Sequence, residues 1–100
     1  MAYSISFSHR ADRQLRSLRA YHRGTLLHRN TRMLAHQPQV ATRNRKPLRP
    51  NDVAPWELRV GHLRIFYMVD ENTRQVWILA IGVKDRARVW MEGQEARLEG

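Results

Sequence analysis

The succession of apolar and polar positions along this chain predicts one strand followed by two amphipathic helices. Residues 2–7, with the sequence AYSISF, alternate between small polar and apolar side chains, as a half-buried strand does. Ser8 is suited to cap a helix over about residues 9–22, because apolar side chains then recur at spacings of four and three. Gly24 interrupts this pattern before a second helix over about residues 26–36.

The second half of the chain predicts an antiparallel sheet. Gly61 and His62 separate two strand-like runs, and glycine in first place of a two-residue loop is typical of a type II′ hairpin. A third run is apolar on both faces, as expected of a strand buried on both sides. The predicted strands cover residues 56–60, 63–69 and 75–81.

The remaining segments complete one predicted domain over residues 1–100. Residues 36–55 contain all four prolines and predict an irregular connection. The charged C-terminal end predicts a helical turn. The order is β-α-α-β-β-β, and the fold class is α+β, with a helical hairpin packed on one face of a small, mostly antiparallel sheet.

The predicted hairpin places two like charges side by side. With Gly61-His62 as its loop, Arg59 pairs with Arg64, and like charges directly opposite each other destabilise a sheet. Side chains alternate between faces, so Glu57 shares a face with both arginines. Two interpretations stay open: Glu57 bridges the arginines, or the pair is held ready to bind a phosphate.

The excess of basic residues in the chain also favours the interpretation that the arginine pair binds a phosphate. The chain has 18 basic and nine acidic residues, and 16 of the basic ones are arginine. Residues 1–50 hold eleven basic residues and one acidic residue, which favours a polyanionic partner, although an arginine-rich surface can also serve solubility alone. Such a partner is nucleic acid or an acidic protein. If it is RNA, the basic residues that would contact it are Arg43, Arg45, Lys46 and Arg49 in the connection, and Arg86 and Arg88 after Lys84 near the last strand.

Aromatic and histidine side chains add two candidates. Trp90 follows these charges and either stacks on a base or belongs to a core or interface. His62 could move a proton beside phosphate-binding arginines, or could be an ordinary turn residue. The five histidines lack a ligand spacing and there is no cysteine, so we expect no metal and no cofactor. The chain contains neither a signal-peptide pattern nor a membrane-length apolar run, which predicts a cytoplasmic protein.

The motifs "FSHRADRQLRSL", "KPLRPN", "WELRVGHLRIFYMVDE" and "VWILAIGVKDRARVW" resemble the RelE/ParE superfamily of toxins from type II toxin–antitoxin modules of bacteria and archaea. The resemblance covers almost the whole chain, and the RelE branch is the closer one. It implies a cytoplasmic toxin that is held by a cognate antitoxin, in a heterotetramer or another assembly.

In the RelE branch, the resemblance implies a ribosome-dependent, metal-independent mRNA endoribonuclease that inhibits translation and leaves a 2′,3′-cyclic phosphate. In the ParE branch, the same fold inhibits DNA gyrase without an enzymatic site. A degenerate toxin that retains only antitoxin binding is a third possibility.

Matching this sequence to the RelE pattern implies site residues. Arg64 falls on the phosphate-binding arginine of that branch, Arg59 on a basic position of the preceding strand, and Lys84 on a C-terminal basic position. Glu57 stands where the branch can have lysine, and Trp90 where it can have a tyrosine that stacks on the base. Because tryptophan does not titrate, the resemblance supports phosphate binding better than proton transfer, for which Glu57 and His62 are the candidates.

Overall fold

The computed structural model describes residues 2–25, 31–92 and 94–96 of the chain. Three short helices and seven strands lie in these ranges, and all seven strands belong to one sheet. In chain order they are β1 (Ser4–Phe7), α1 (His9–Ser17), α2 (Ala20–Thr25), α3 (Thr31–Ala35), β2 (Arg45–Pro47), β3 (Trp56–Val60), β4 (Leu63–Asp70), β5 (Gln75–Asp85), β6 (Arg88–Met91) and β7 (Gln94–Ala96).

The predicted first helix begins where expected and ends early. Ser8 caps α1, and its hydroxyl oxygen accepts a hydrogen bond from the Ala11 amide at 3.1 Å. Leu18 has extended backbone angles and ends the helix, so the predicted single helix consists of α1 and α2. Gly24 lies within α2 and does not separate two helices. Of the predicted second helix, residues 26–30 lie outside the described ranges, and α3 covers its end.

The sheet is ordered β2-β3-β4-β5-β6-β7, with β1 added to β5 in parallel. The antiparallel run of β3, β4 and β5 and the α+β class are both as predicted. The prediction of a C-terminal helical turn is wrong, since β6 and β7 form a further antiparallel hairpin there. Alternating charge can be read as a strand or a helix, and the sequence pattern of this segment is too short to decide between them.

The long strand β5 organises the fold because β4 follows one of its edges, while β1 and β6 share the other. Between these two partners, Gln14 of α1 reaches the edge and its Oε1 accepts the Ile81 amide at 2.6 Å. Ser8 donates its hydroxyl to the Leu79 carbonyl at 3.0 Å. The side chains of the N-cap Ser8 and of Gln14 within α1 thus satisfy backbone groups of β5 in the interval between β1 and β6.

Each face of the sheet has its own core. The face that carries the helices, here called the helix-bearing face, packs strand residues such as Leu58, Ile65 and Tyr67 against Ala11 and Leu34. On the opposite face, a smaller core of Ala54, Phe66, Ala80 and Met91 lies beneath the connection before β3 and beside β6. No helix within the described ranges has the length and apolar character needed to cross a membrane.

Candidate functional site

The β3–β4 hairpin has the predicted register, with Arg59 opposite Arg64 and Val60 opposite Leu63. Gly61 has a φ of +56° in the turn, and His62 is not among the described residues of positive φ. A positive φ at Gly61 and not at His62 fits a type II′ turn, in which the first of the two central residues alone has positive φ. The two arginines therefore do leave from neighbouring strands on the same face.

Glu57 explains how the like charges are tolerated. Its Oε1 accepts a hydrogen bond from Arg59 Nε at 3.0 Å and lies 3.3 Å from Arg64 Nε. The side chains of Glu57 and Arg64 are 7% and 9% exposed, whereas that of Arg59 is 37% exposed. The bridging interpretation of Glu57 is therefore confirmed, and one carboxylate oxygen serves two guanidinium groups.

Arg64 also fixes the turn that it follows. Its Nη1 donates to the carbonyl of Gly61 at 2.8 Å and to that of Leu63 at 2.9 Å. Burial lowers the pKa of Arg64, an effect that the Glu57 charge opposes and the Arg59 charge reinforces. Arginine remains charged in proteins even so. Much of the Arg64 donor capacity is therefore used inside the hairpin, while Arg59 presents the more accessible guanidinium.

Two further cations join this group through the strand register. Lys46 of β2 lies directly opposite Glu57, and Gly82 of β5 lies opposite Arg64. Lys84 is two residues beyond Gly82 and so projects from the same face. Its amide donates to the His62 carbonyl at 2.7 Å, which ties the end of β5 to the turn. We call this set of residues the basic face; it consists of Lys46, Glu57, Arg59, Arg64 and Lys84.

The structure separates Trp90 from the basic face. Trp90 pairs with Val83, whose own partner on β4 is Leu63, a member of the helix-bearing core. Directly opposed residues share a face, so Trp90 and Lys84 project in opposite directions. Trp90 is half-buried and is not positioned to stack on a base held at Arg59. His62, in contrast, is exposed in the turn beside the basic face.

Arg45 has a structural role that its sequence position concealed. Its Nη1 donates to the carbonyls of Met33 and His36, at 3.0 and 2.9 Å, around the C-terminal end of α3. Cations stabilise this end of a helix, where carbonyl groups lack intrahelical partners. Of the predicted RNA-binding residues, Lys46 alone belongs to the basic face.

The remaining predicted RNA-binding residues are distributed over the surface. Arg43 and Arg49 are exposed in the connection before β3. Arg86 has a φ of +58° in the turn before β6, and Arg88 lies 3.9 Å from Glu95. These side chains can add to a positive field, but the structure does not bring them together with Arg59.

Sequence reasoning missed an exposed apolar pair. Met68 and Trp77 are opposite each other on β4 and β5, on the same face of the sheet as Arg64, and are 37% and 39% exposed. The run over residues 75–81 predicts a strand buried on both faces, and the exposure of Trp77 shows that this prediction is wrong for one face. The sequence did contain a signal, because successive side chains of a strand point to opposite faces of the sheet. Val76 and Ile78 are fully buried on one face, so Trp77 between them points to the other face.

The side chains of this site suit an anion. In the part of the chain that the structure describes, no three side chains of the His, Asp and Glu types come together as potential ligands. The basic face holds four cations and one carboxylate, and a cation-rich cluster of this kind is suited to an anion. The arrangement is therefore able to bind a phosphate group.

The α+β fold is the one that the resemblance to RelE/ParE superfamily toxins implies, and comparison with known proteins confirms this class. The sequence model described as "ParE toxin of type II toxin-antitoxin system, parDE" matches residues 5–88. The chain belongs to this family of toxins.

One solved structure supports the same assignment. A chain in the crystal structure of the toxin–antitoxin complex RelBE2 from Mycobacterium tuberculosis has 25% sequence identity and a TM-score of 0.72, covering 84% of this chain and 100% of that one. No protein of curated function matches the sequence significantly. The two matches carry names from both branches of the superfamily.

Proposed function

We propose that this toxin acts on RNA, with the basic face binding the scissile phosphate of a messenger RNA on the ribosome. The observation that carries the proposal is the register of β2 to β5, which places four cations and one carboxylate on the same face of the sheet. Only one of these positive charges is compensated by Glu57. A net positive cluster on a sheet face is the electrostatic footprint of a phosphate-binding surface.

Within this cluster, Arg59 is the side chain best placed to contact the phosphate. Its Nε is held by Glu57, and more than a third of the side chain is exposed. A guanidinium presents its Nη groups as a rigid fork that matches phosphate oxygens. Lys84 supplies a second, partly exposed charge beside the turn, while Arg64 contributes positive potential from a buried position.

The reaction proposed is intramolecular transesterification within the RNA. The 2′-oxygen forms a bond to the adjacent phosphorus, the bond from phosphorus to the 5′-oxygen breaks, and a 2′,3′-cyclic phosphate and a 5′-hydroxyl result. A base takes the proton from the 2′-hydroxyl, and an acid gives one to the 5′-oxygen. Arg59 and Lys84 would stabilise the negative charge that grows on the phosphorane oxygens.

His62 is the stronger candidate for proton transfer. Glu57 is buried and its Oε1 contacts both arginines, so this oxygen is not free to contact an RNA hydroxyl group. The imidazole of His62 is exposed in the turn that Arg64 and Lys84 hold in place. Imidazole exchanges protons readily near neutral pH, which suits either step of the reaction.

The test compares four proteins on ribosomes programmed with a defined messenger RNA. Arg59→Ala and Lys84→Ala each remove one charge from the basic face, and Arg74→Ala removes one from the exposed turn at the other end of β4. Cleavage rates and the chemistry of the new RNA ends are measured at two salt concentrations. We expect 2′,3′-cyclic phosphate ends and a rate loss of roughly a hundredfold for Arg59→Ala, on the scale of losing one charge-stabilising donor.

The control variant should cut RNA at a rate close to that of the unmodified toxin. Equal activity of Arg59→Ala and the unmodified protein would reject the assignment of the phosphate site. Intact message on the ribosome in every sample would reject the RNA-directed function itself.

A second candidate function is inhibition of DNA gyrase, and the matching ParE family description favours it. The ion bridge at Glu57 is consistent with that alternative, since it gives the arginines a structural role without catalysis. Purified toxin should then block supercoiling by gyrase and leave ribosome-bound message whole. A supercoiling assay run beside the RNA assay separates the two functions.

A further inference from the structure

Trp77 is a large aromatic side chain that stands exposed in the middle of the sheet. It lies on β5 between β4 and β1, where its direct neighbours are Met68 and Ser6. Trp77 is 39% exposed and Met68 is 37% exposed. We call these three residues the Trp77 platform. An aromatic plane left open on a central strand points to a ligand that covers it.

A cleft adjoins the Trp77 platform along β5. The register of β4 against β5 shifts between Phe66 and Tyr67, which leaves Leu79 as the extra residue of a β-bulge. Leu79 forms one wall of the cleft, and the connection before β3 forms the other, including the exposed Arg49. The cleft has a volume of about 380 Å³. Bulges are common beside functional sites, because they change where a strand directs its side chains.

Asn51 holds in place the wall that the connection forms. Its Oδ1 accepts the amides of Val53 and Ala54 at 2.7 and 3.0 Å, and its Nδ2 donates to the carbonyls of Arg49 and Ala54 at 2.7 and 2.9 Å. A ligand on the Trp77 platform therefore meets a preformed border, which reduces the entropy cost of binding.

The other border of the Trp77 platform is polar. Gln75 is two residues before Trp77 and so shares its face, and Ser4 and Asp70 pair with Gln75 on either side. The side-chain amide of Gln75 donates a hydrogen bond to the Ser6 hydroxyl. An aromatic plane with hydroxyl and amide groups along its border suits a planar ligand that has polar edges.

The size of the Trp77 platform favours a nucleobase over a protein partner. A stable protein interface buries roughly 800 Å² on each partner. Two large side chains that are each more than half covered expose only a small part of that area. A nucleobase needs a single aromatic face, and single-stranded RNA is commonly bound by aromatic side chains on a sheet.

Charge complementarity identifies the polymer to which such a base belongs. The chain has a formal net charge of +9, and residues 1–50, which supply β1, α1 and most of the connection, hold eleven basic residues and one acidic residue. Arg49 and Asp52 line the cleft, and Nη2 of the exposed Arg10 lies 3.6 Å from Met91 Sδ in the core that Leu79 also contacts. An uncharged base on the Trp77 platform thus leaves its phosphate backbone in a positive field.

We propose that the Trp77 platform is a second RNA-binding site, on which the indole stacks against an unpaired base of the target message. The site rests on the proposed function for its target, but it is separate from the basic face. Phe66 and the connection that covers it lie between Arg64 and Met68, which are about 13 Å apart along β4. The stacked base is therefore a few nucleotides from the scissile phosphate, and it contributes to affinity and not to the chemical step.

The test titrates the toxin with a short single-stranded oligoribonucleotide that carries 2′-deoxy substitutions and so cannot be cut. Each base in turn is replaced by 2-aminopurine, whose fluorescence is quenched when it stacks on an aromatic side chain. The variants are Trp77→Ala, Trp77→Phe and, as a control of similar exposure on the helix-bearing face, Val83→Ala. Thermal unfolding confirms that each variant is folded.

We expect Trp77→Ala to weaken binding by a factor of between about 5 and 150, the range for loss of one stacked base. Trp77→Phe should keep most of the affinity because it keeps an aromatic face, and Val83→Ala should leave the affinity unchanged. The slope of log affinity against log salt concentration should stay the same in Trp77→Ala and fall by about 1 in Arg59→Ala, since only the latter loses a phosphate contact. Quenching at one position of the oligoribonucleotide should be lost in Trp77→Ala.

A second measurement places the base in the message. On ribosomes, an abasic nucleotide at the quenched position should raise the KM of the unmodified toxin, leave its kcat unchanged, and have no further effect on Trp77→Ala. An abasic message that affects Trp77→Ala as strongly as the unmodified toxin would overturn the proposal, because the indole would then contact another RNA.

Equal affinity of Trp77→Ala and the unmodified toxin for the oligoribonucleotide would also overturn the proposal. If Trp77→Ala then lost affinity for the antitoxin instead, the Trp77 platform would belong to a protein partner. Failure of the proposed function gives a different result. Binding that depends on Trp77, with quenching but without cleavage of message on ribosomes, would reject the cleavage reaction and support the second RNA-binding site.

Discussion

Replacement of Glu57 by glutamine tests the ion bridge at the centre of the basic face. The substitution keeps the shape of the side chain and one acceptor oxygen but removes the charge shared by Arg59 and Arg64. The partly exposed Arg59 contact accounts for less than about 1 kcal/mol, because solvent screens it. The buried Arg64 contact is the larger part, since loss of one partner of a buried pair costs about 3 kcal/mol or more.

We therefore expect Glu57→Gln to lower the free energy of unfolding by about 3 kcal/mol, below the simple sum because a neutral hydrogen bond remains. For a domain of 100 residues this corresponds to a fall in Tm of about 12 to 24 °C. Thermal and urea unfolding followed by circular dichroism measure both quantities. The matched control is Glu95→Gln, whose carboxylate lies 3.9 Å from Arg88 with both side chains substantially exposed.

The control should change the free energy of unfolding by less than about 0.5 kcal/mol. Equal stability of Glu57→Gln and Glu95→Gln would refute the reasoning, since it would mean that the bridge contributes no net stabilisation to the fold. The folded fraction of Glu57→Gln should also bind RNA more tightly than the unmodified toxin, because one negative charge is missing from the basic face.

Three other substitutions test the packing around the site. Gly82→Ala should cost about 1 to 3 kcal/mol in urea unfolding, because its Cβ would lie 2.8 Å from Val89 Cγ1 and 3.1 Å from a backbone oxygen. Gln14→Leu should cost at least about 1 kcal/mol by the same measurement, since the Ile81 amide loses its acceptor. Burial raises the pKa of the Tyr67 hydroxyl above 10. The neutral hydroxyl therefore contributes fully to the free energy of unfolding below pH 10, and this contribution is lost as pH rises towards the raised pKa. Tyr67→Phe should abolish that pH-dependent loss in the unfolding measurement.

The β3–β4 hairpin is the part of the site that the sequence predicts most completely. A two-residue loop with glycine first fixes both the turn type and the register, and these place Arg59 opposite Arg64 without knowledge of the rest of the fold. The alternation of side chains then assigns Glu57 to the same face. The turn type and the alternation of side chains were sufficient here, because Glu57, Arg59 and Arg64 lie within ten residues of one another along the chain.

Other features depend on contacts between distant segments and could not be read from the sequence. Arg45 was expected to meet RNA, yet it binds carbonyls at the end of α3, and the partner was outside its own segment. The sequence left Trp90 open to base stacking or to a core or interface position, and the pairing of β6 with β5 turns it to the face opposite the arginines. The exposure of Trp77 depends on what covers the sheet, which the strand pattern alone does not specify.

The most direct test of the account is a titration of the toxin with a short oligoribonucleotide that carries 2′-deoxy substitutions and so cannot be cut. The Nε–H signals of Arg59 and Arg64 are followed by two-dimensional nuclear magnetic resonance. We expect a saturable shift at Arg59, a smaller shift at the buried Arg64, and shifts in the amides of His62 and Lys84 with the same midpoint. Shifts confined to the arginines of α1, with Arg59 unchanged at saturation, would contradict it.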